Sequence, residues 1–209
     1  MTSFFRDPES WSALQSEVIG PLLEHADPDD QIRVWVPGCA SGEEAYTVAM
    51  LFQEEAERHK SAIGHLVVFA TDVDEKALAV AREGLYAQSI TADVSETRLE
   101  RFFRREDEHF RVASDIRDRI VFATHDLLRD PPFSRLHLIC CRNLLIYLDR
   151  EPQQQLMGVF RYALRDAGHL FVGVSETVDE DLFQALDTRH RIFLAHSRAD
   201  VRAVLPELL

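Results

Sequence analysis

The 209-residue sequence is poor in cysteine, in basic residues and in long apolar segments. Its three cysteines are Cys39, Cys140 and Cys141, an odd number with two adjacent, which fits neither a disulfide framework nor the spacing of a zinc site. The sequence contains no run of about eighteen apolar residues, so no membrane-spanning helix is predicted. Residues 1–7 lack the apolar core of a secretory signal. These absences predict a cytoplasmic protein with reduced thiols, no metal site and no direct insertion into a membrane.

The sequence has 36 Asp and Glu residues but only 23 Lys and Arg, which gives a formal net charge of −13. A surface of this charge repels phosphate backbones, so nucleic acid is not an expected partner. Hydrophobic residues make up 46% and charged residues 28% of the chain, which is close to globular averages. The length suits one α/β domain with a full core, and a disordered or fibrous chain is not expected.

Apolar residues follow helical and strand patterns in turn along the chain. Helical spacing predicts helices at 8–25, 43–58, 75–83 (ended by Gly84), 95–103 and 152–165 (ended by Gly168). Buried strands are predicted at 32–36, 66–70, 119–123, 136–140, 170–174 and 191–195. This alternation predicts an α/β fold with a doubly wound, mostly parallel sheet.

Residues 85–118 interrupt the pattern because they are polar and charge-rich, with a few apolar anchors. A short strand near 109–112 is predicted inside them. We therefore expect a single domain over residues 1–209. It would comprise a helical leader at 1–30 and a small inserted, β-containing subdomain at 85–118.

The segment Val36 to Glu44 joins the first predicted strand to the helix that follows. Its Gly38 and Gly42 let a ligand approach the backbone closely, and the helix N-terminus offers free N–H groups. The Gly-x-x-x-Gly spacing is neither the dinucleotide fingerprint nor a P-loop. The adjacent acids Glu43 and Glu44 would repel a phosphate and favour a cationic or polyhydroxylated ligand, although acids here also complement the helix dipole.

Two other predicted strand ends carry acids, and ligands of open α/β sheets bind at the carboxyl ends of strands. Asp72 directly follows the second strand, where an acid bonds ribose hydroxyls in nucleotide-binding folds, whereas Asp74 is placed to cap the next helix. Asp126, followed by Leu127, can accept a hydrogen bond from an adenine amine beside an apolar wall. We expect the neighbouring His125 to be structural.

Another predicted strand end is followed by Arg142 and Asn143, a cation and an amide that together can hold a carboxylate. A buried arginine is costly unless it is paired, which favours a partner for Arg142. Tyr147 lies beyond them, and its hydroxyl fits a catalytic role as well as a place in the core.

Six segments stand in order along the chain: Thr2 to Arg6, Pro37 to Tyr46, Phe69 to Asp74, Asp126 to Leu128, Cys141 to Tyr147 and Gly168 to Glu176. In these segments the sequence resembles the CheR family of chemotaxis protein-glutamate O-methyltransferases. The resemblance implies methyl transfer from S-adenosylmethionine to glutamate side chains of chemoreceptors or receptor-like cytoplasmic helices. Other modules of a fusion protein are further implied partners. The family's helical domain, which precedes the Phe-Phe-Arg segment, has no counterpart in this sequence.

The resemblance also implies roles for individual residues. The implied cofactor-binding residues are Thr2, Arg6, Gly38, Glu43, Asp72, Asp126, Leu127, Arg142 and Asn143. Of these, Thr2, Arg6 and Glu43 would lie at the amino-acid end of the cofactor. Arg142 and Tyr147 are the implied catalytic residues, with Arg142 orienting the substrate carboxylate.

Two other functions remain open. The chain could be a non-catalytic module that binds S-adenosylmethionine or S-adenosylhomocysteine within a larger signalling protein, because function resides in the site and not in the fold. An NAD-linked oxidoreductase is a weaker alternative, since the dinucleotide glycine spacing is missing. Incorporation of methyl groups into receptor fragments separates the first alternative from an enzyme.

Overall fold

Helices and strands alternate along most of the chain in the computed structural model, which describes residues 2–25, 31–59 and 65–197. The strands are β1 (Gln31–Pro37), β2 (His65–Asp72), β3 (Leu85–Ala87), β4 (Phe103–Glu106), β5 (His109–Val112), β6 (Ile120–Thr124), β7 (Leu136–Cys141), β8 (Leu164–Val172), β9 (Phe183–Asp187) and β10 (Ile192–Ala195). The α-helices are α1 (Pro8–Leu14), α2 (Gly20–His25), α3 (Glu43–Arg58), α4 (Glu75–Glu83), α5 (Glu96–Phe102), α6 (Ser114–Arg117) and α7 (Arg150–Ala163). A π-helical turn (Gln15–Ile19) joins α1 to α2, and 3₁₀ turns cover Gln88–Ala92 and Leu145–Tyr147.

Seven strands form one sheet in the order β6-β2-β1-β7-β8-β10-β9. The neighbours from β6 to β8 pair in parallel, whereas β10 is antiparallel to both β8 and β9. The predicted α/β fold with a mostly parallel, doubly wound sheet is therefore confirmed. From β1 the chain moves outward to β2 and β6, and it then returns to start β7 on the other side of β1. This reversal creates a crevice at the carboxyl ends of β1 and β7, the usual ligand position in such sheets.

The segment 85–118 contains a second, antiparallel sheet of three strands in the order β3-β5-β4. The predicted short strand near 109–112 is present as β5. Aromatic contacts attach this small sheet to the start of the chain, because the Phe4 ring meets Tyr86 at 4.9 Å and Phe103 at 5.5 Å between centroids.

The core lies on both faces of the large sheet, as alternation along a strand requires. In β1, the buried side chains of Val34 and Val36 join the cluster that contains α1 and α3. Trp35, between them, points to the opposite face and packs against Phe160 of α7. The strand is buried on both faces, which explains its continuous apolar sequence.

Two predicted boundaries are wrong. The helix expected over 152–165 ends at Ala163, and Gly168, its expected terminator, lies inside β8. Leu164 pairs with Leu136 of β7, so the parallel ladder takes the chain into a strand before the helix can continue. The strand expected over 170–174 ends at Val172, because the N–H of Gly173 donates to the Glu176 carboxylate instead.

Three strands were not predicted from the sequence: β3 and β4, which flank β5 in the small sheet, and β9 at the edge of the large one. In β9 the burial pattern gives the reason. Only Phe183 of its residues is buried, so the alternation that identifies a strand is missing. Within the described residues, no helix combines the length and the apolar character that crossing a bilayer would require.

Candidate active site

Two adjoining cavities lie at the carboxyl ends of β1, β2, β6 and β7, where the strand order reverses. The first has a volume of about 250 Å³ and is lined by the start of the chain, the β1–α3 loop and the residues after β7. The second, about 150 Å³, is lined mainly by apolar side chains, from the residues after β6 and from those after β7. Gly38, Asp72 and Leu144 line both cavities. Their combined volume lies within the range of ligand sites, about 300–1,000 Å³.

A larger groove of about 680 Å³ lies at the opposite end of the sheet, where Arg33, His137 and Arg165 are found. None of the residues expected in a site lines it. The crevice at the strand ends remains the candidate because the motif residues converge there.

The β1–α3 loop lines the larger cavity with its backbone, which turns there through left-handed conformations. Gly38 has φ 66° and Gly42 has φ 96°, values that favour glycine. A Cβ on Gly38 would lie 2.9 Å from the Leu144 side chain, and one on Gly42 would lie 2.9 Å from Ala81 Cβ. Gly42 is therefore required by close approach as well as by the turn, whereas at Gly38 the flexible Leu144 side chain can move and the left-handed backbone is the main requirement.

Asp72 ends β2 and closes the loop from the other side. Its Oδ2 accepts the Ala40 N–H at 2.8 Å, and its Oδ1 accepts the Asp74 N–H at 2.9 Å. Each carboxylate oxygen keeps a lone pair for a ligand, since a carboxylate accepts about four hydrogen bonds. Asp74 accepts hydrogen bonds from the Lys76 and Ala77 N–H groups and so caps α4, which confirms its predicted capping role.

The two acids that open α3 differ in position. Glu43 lines neither cavity; its carboxylate accepts the Ser41 hydroxyl, and it also bonds the Thr2 side chain. Thr2 itself lines the larger cavity. Glu43 therefore stands behind Thr2, and Glu44 is the acid that reaches the lining.

Glu44 brings a buried carboxyl group to the larger cavity. Its Oε1 is inaccessible to solvent and has no hydrogen-bond partner among the described residues. Burial raises the pKa of Glu44 to about 8, with Glu176 adding to the rise while Arg142 and Arg6 oppose it. The sequence has two adjacent acids here, and the rotation of α3 about its own axis decides which of them faces the cavity.

The N-terminal segment, residues 2–7, crosses the mouth of the larger cavity. Phe4 and Phe5 anchor it in the core, and the Phe5 N–H donates to Thr47 Oγ1 at 3.2 Å. Thr2 and Arg6 line the cavity, and Arg6 is exposed. The two phenylalanines therefore carry the polar residues of the same motif to the site.

Arg142 lies at the floor of the cavity with its side chain only 1% exposed. Its Nη1 donates to the Arg6 carbonyl at 2.8 Å, and its Nη2 donates to Asp7 Oδ2 at 2.7 Å. The guanidinium carbon lies 5.1 Å from the Trp11 ring and 4.8 Å from the Phe171 ring. Those two donors are engaged within the protein, so the guanidinium does not present them to a substrate.

Asn143 and Tyr147 belong to the loop after β7. Asn143 also lines the larger cavity, in a left-handed conformation (φ 59°) that asparagine tolerates. A Cβ on Gly173 would lie 3.0 Å from the Asn143 nitrogen, so the end of β8 packs directly against this turn. Tyr147 lies at the rim and is 76% exposed.

The smaller cavity holds Asp126 and Leu127, together with the apolar side chains of Leu128, Leu144, Leu148 and Leu156. Asp126 Oδ1 accepts the Leu128 N–H at 3.0 Å, which fixes the carboxylate at the edge of an apolar slot. His125 also lines this cavity, and its ring stacks on Phe133 and meets Trp35 edge-on, as expected of a packing residue.

The fold and this arrangement define an α/β domain that binds a nucleoside-type cofactor at the switch point of its sheet. A family model of the CheR methyltransferase SAM-binding domain matches residues 1–192. The chain therefore belongs to the CheR methyltransferase family, and its cofactor is S-adenosylmethionine.

Related proteins match this chain over nearly its whole length. A chemotaxis protein methyltransferase of Listeria monocytogenes is 33% identical over 193 residues, which are 92% of this chain and 71% of the relative. An uncharacterized 104.1 kDa protein in the hypE 3′ region of Rhodobacter capsulatus is 46% identical over 197 residues. That match includes 93% of this chain but only 21% of the relative, so the chain spans about a fifth of the larger protein.

Solved structures include similar folds. A TehB-like SAM-dependent methyltransferase from Corynebacterium glutamicum has a TM-score of 0.45 at 12% identity, covering 90% of this chain and 94% of that chain. A protein described as PKMT2 from Rickettsia typhi in complex with AdoHcy has a TM-score of 0.45 at 14% identity, covering 82% of this chain and 26% of that chain.

Proposed function

We propose that the chain transfers a methyl group from S-adenosylmethionine to glutamate side-chain carboxylates of chemoreceptors or receptor-like proteins. The observation that carries this proposal is that a cation, Arg6, and a carboxyl group, Glu44, both line the larger cavity. They match a ligand end that carries a carboxylate and an ammonium group, and a methyl donor of this class has such an end.

The remaining lining residues fit the other parts of the cofactor. Asp72 has free lone pairs for ribose hydroxyls. Asp126 and Leu127 offer an acceptor and an apolar wall for adenine in the smaller cavity. Thr2, Gly38 and Asn143 line the space between or beside these groups.

The substrate carboxylate needs no catalytic base, because a glutamate with a pKa near 4.3 is ionised at pH 7. When bound, the cofactor supplies a methyl group on a sulfonium. The carboxylate oxygen forms a bond to the methyl carbon while the carbon–sulfur bond breaks, and no proton moves. The protein's task is to align the two and to exclude water. We propose that Tyr147 contacts the incoming substrate, a role supported by its exposed position at the rim of the cavity.

We propose receptor-like cytoplasmic helices as the partners and other modules of a larger protein as neighbours. The match to one fifth of a 104.1 kDa relative supports the second part. The same match supports the alternative function, a regulatory module that binds the cofactor within a larger protein. Residues 1–209 are proposed to act as one domain, with 1–30 as its leader and 85–118 as its inserted subdomain.

Calorimetry with S-adenosylhomocysteine tests the site. We expect Asp72→Ala to weaken binding by about tenfold or more, because two oriented acceptors are lost. Asp74→Ala is the matched control, since Asp74 is an acid two residues away that caps α4 and does not line the cavities. It should lower the stability by about 1 kcal/mol and leave the affinity unchanged. Equal affinities for Asp72→Ala and the wild type would remove Asp72 from the site.

Transfer of a labelled methyl group to receptor fragments tests the activity. The proposal expects label in a fragment with glutamates and none after those glutamates are changed to glutamine. Binding of S-adenosylhomocysteine without any transfer, in the full-length protein, would instead support the regulatory module.

A further inference from the structure

Arg142 joins the floor of the site to the N-terminal segment at its mouth. Both of its terminal nitrogens donate to neighbouring residues of that segment, Arg6 through its carbonyl and Asp7 through its carboxylate. These are charge-assisted bonds to a guanidinium that is shielded from water, and such bonds are stronger than neutral ones. The Asp7 side chain is 41% exposed, whereas that of Arg142 is 1% exposed.

The backbone around Arg6 explains why such a contact is needed. Phe5 has φ 47° and Asp7 has φ 58°, so Arg6 lies between two residues in the left-handed region. This conformation is unfavourable for residues other than glycine and persists where the surroundings hold it. The hydrogen bond from the Phe5 N–H to Thr47 fixes the backbone before Arg6, and the bond from Arg142 to the Asp7 carboxylate fixes the residue after it.

The same contact sets the start of α1. The carbonyl of Asp7 accepts the Ser10 N–H at 2.9 Å, so the residue held by Arg142 is also the residue from which α1 begins. Trp11 of α1 completes the connection, since it lies beside the guanidinium and also lines the cavity.

We propose that Arg142 is a positioning residue that fixes the N-terminal segment across the cavity and thereby sets the place of the Arg6 side chain. It acts on the ligand through Arg6 and Asp7, and it does not act as a direct partner of the substrate carboxylate. The effect on the cofactor rests on the proposed function. The effect on the segment does not, because it follows from the contacts within the chain.

The first test follows amide hydrogen exchange in the segment. Arg142→Lys retains a charge but loses the planar fork that reaches two acceptors. We expect exchange at the Ser10 amide to accelerate about tenfold, and to accelerate as well in Asp7→Ala, which leaves Arg142 in place. Arg6→Ala is the control, because the carbonyl that Arg142 holds is retained. Should Arg142→Lys fail to fold, Asp7→Ala carries the same test.

The second test is a double-mutant cycle on the affinity for S-adenosylhomocysteine. Asp7→Ala and Arg6→Ala should each weaken binding by about tenfold. If Arg142 and Asp7 act through Arg6, adding Asp7→Ala to Arg6→Ala should change the affinity by less than about twofold. Losses that multiply would overturn the proposal, as would unchanged exchange at Ser10. If the wild type binds no S-adenosylhomocysteine, the proposed function fails, and the exchange experiment still decides the role of Arg142.

Discussion

Glu44 is the residue whose environment has the clearest chemical consequence. Its carboxyl is shielded from solvent, and burial raises its pKa to about 8. Below that pH the group is mainly neutral in the free protein. A cationic ligand in the cavity favours the ionised form, so binding and deprotonation of Glu44 are coupled.

We expect the affinity for S-adenosylhomocysteine to increase between about pH 6.5 and about pH 8.5, because less free energy is then spent on ionising Glu44. Calorimetry in buffers of different ionisation enthalpy should detect a released proton near pH 7. Glu44→Gln should bind more weakly and lose this pH dependence. Glu57→Gln, an exposed position on the same helix, is the control.

Glu44→Gln should also change stability in a defined direction. The folded protein keeps the Glu44 proton up to about pH 8, whereas the unfolded chain releases it above about pH 4. The wild type therefore loses stability from this group as the pH rises through that window. The stability of Glu44→Gln relative to the wild type should be higher at pH 8 than at pH 5 in urea denaturation. A constant difference between the two proteins would contradict the raised pKa.

Residue roles could be predicted from the sequence where the deciding partner is close along the chain. Asp74 was predicted to cap a helix because its partners follow within three residues. Arg142 could not be understood in this way, since its partner Asp7 lies 135 residues away. The choice between Glu43 and Glu44 depended on the rotation of α3 against the sheet, which two adjacent acids do not specify.

At the level of elements, Glu176 connects the ends of β7 and β8. Its Oε1 accepts the Leu145 N–H at 2.7 Å, and its Oε2 accepts the Gly173 N–H at 2.5 Å. Both neighbouring strands end in loops that shape the site, so one buried carboxylate orders both. The turn that carries Asn143 packs against Gly173 and depends on this link.

Glu176→Gln should lower the free energy of unfolding by about 1–3 kcal/mol, because an amide NH₂ would then face a buried backbone N–H. Urea denaturation measures this loss. Glu180→Gln, on the exposed part of the same loop, should have no effect and serves as the control. A Glu176→Gln protein as stable as the wild type would show that the two hydrogen bonds do not hold the loops together.

Elements with local start and stop signals or a continuous apolar run were predicted well, whereas the α7–β8 boundary and the edge strand β9, which depend on remote pairing, were not. Helix α4 begins after Asp74 and ends at Gly84 (φ 63°), as expected from its capping residues. The boundary between α7 and β8 was misplaced because Leu164 is held by Leu136, a partner 28 residues earlier that no local pattern marks. Strand β9 was missed for a similar reason, since its place at the sheet edge comes from pairing with β10.

For the molecule as a whole, the formal charge of −13 bears on how it would meet the proposed substrate, a protein segment that carries glutamates. Like charges slow diffusional encounter, and added salt screens the repulsion. The mouth of the site nevertheless carries an exposed cation, Arg6, so the net field and the local field oppose each other. The dependence of the rate on salt shows which of the two governs the approach.

We expect the net field to dominate for an acidic peptide. Raising the salt from about 0.01 M to about 0.1 M shortens the screening length from about 30 Å to about 10 Å, less than the dimensions of the domain. The kcat/KM for methylation of an acidic glutamate peptide should therefore rise severalfold over this range. A peptide with the same glutamate flanked by lysines is the control, and its kcat/KM should fall. A fall for the acidic peptide too would mean that the local charge around Arg6 controls the encounter, and the acidic remainder of the surface would then be irrelevant to substrate capture.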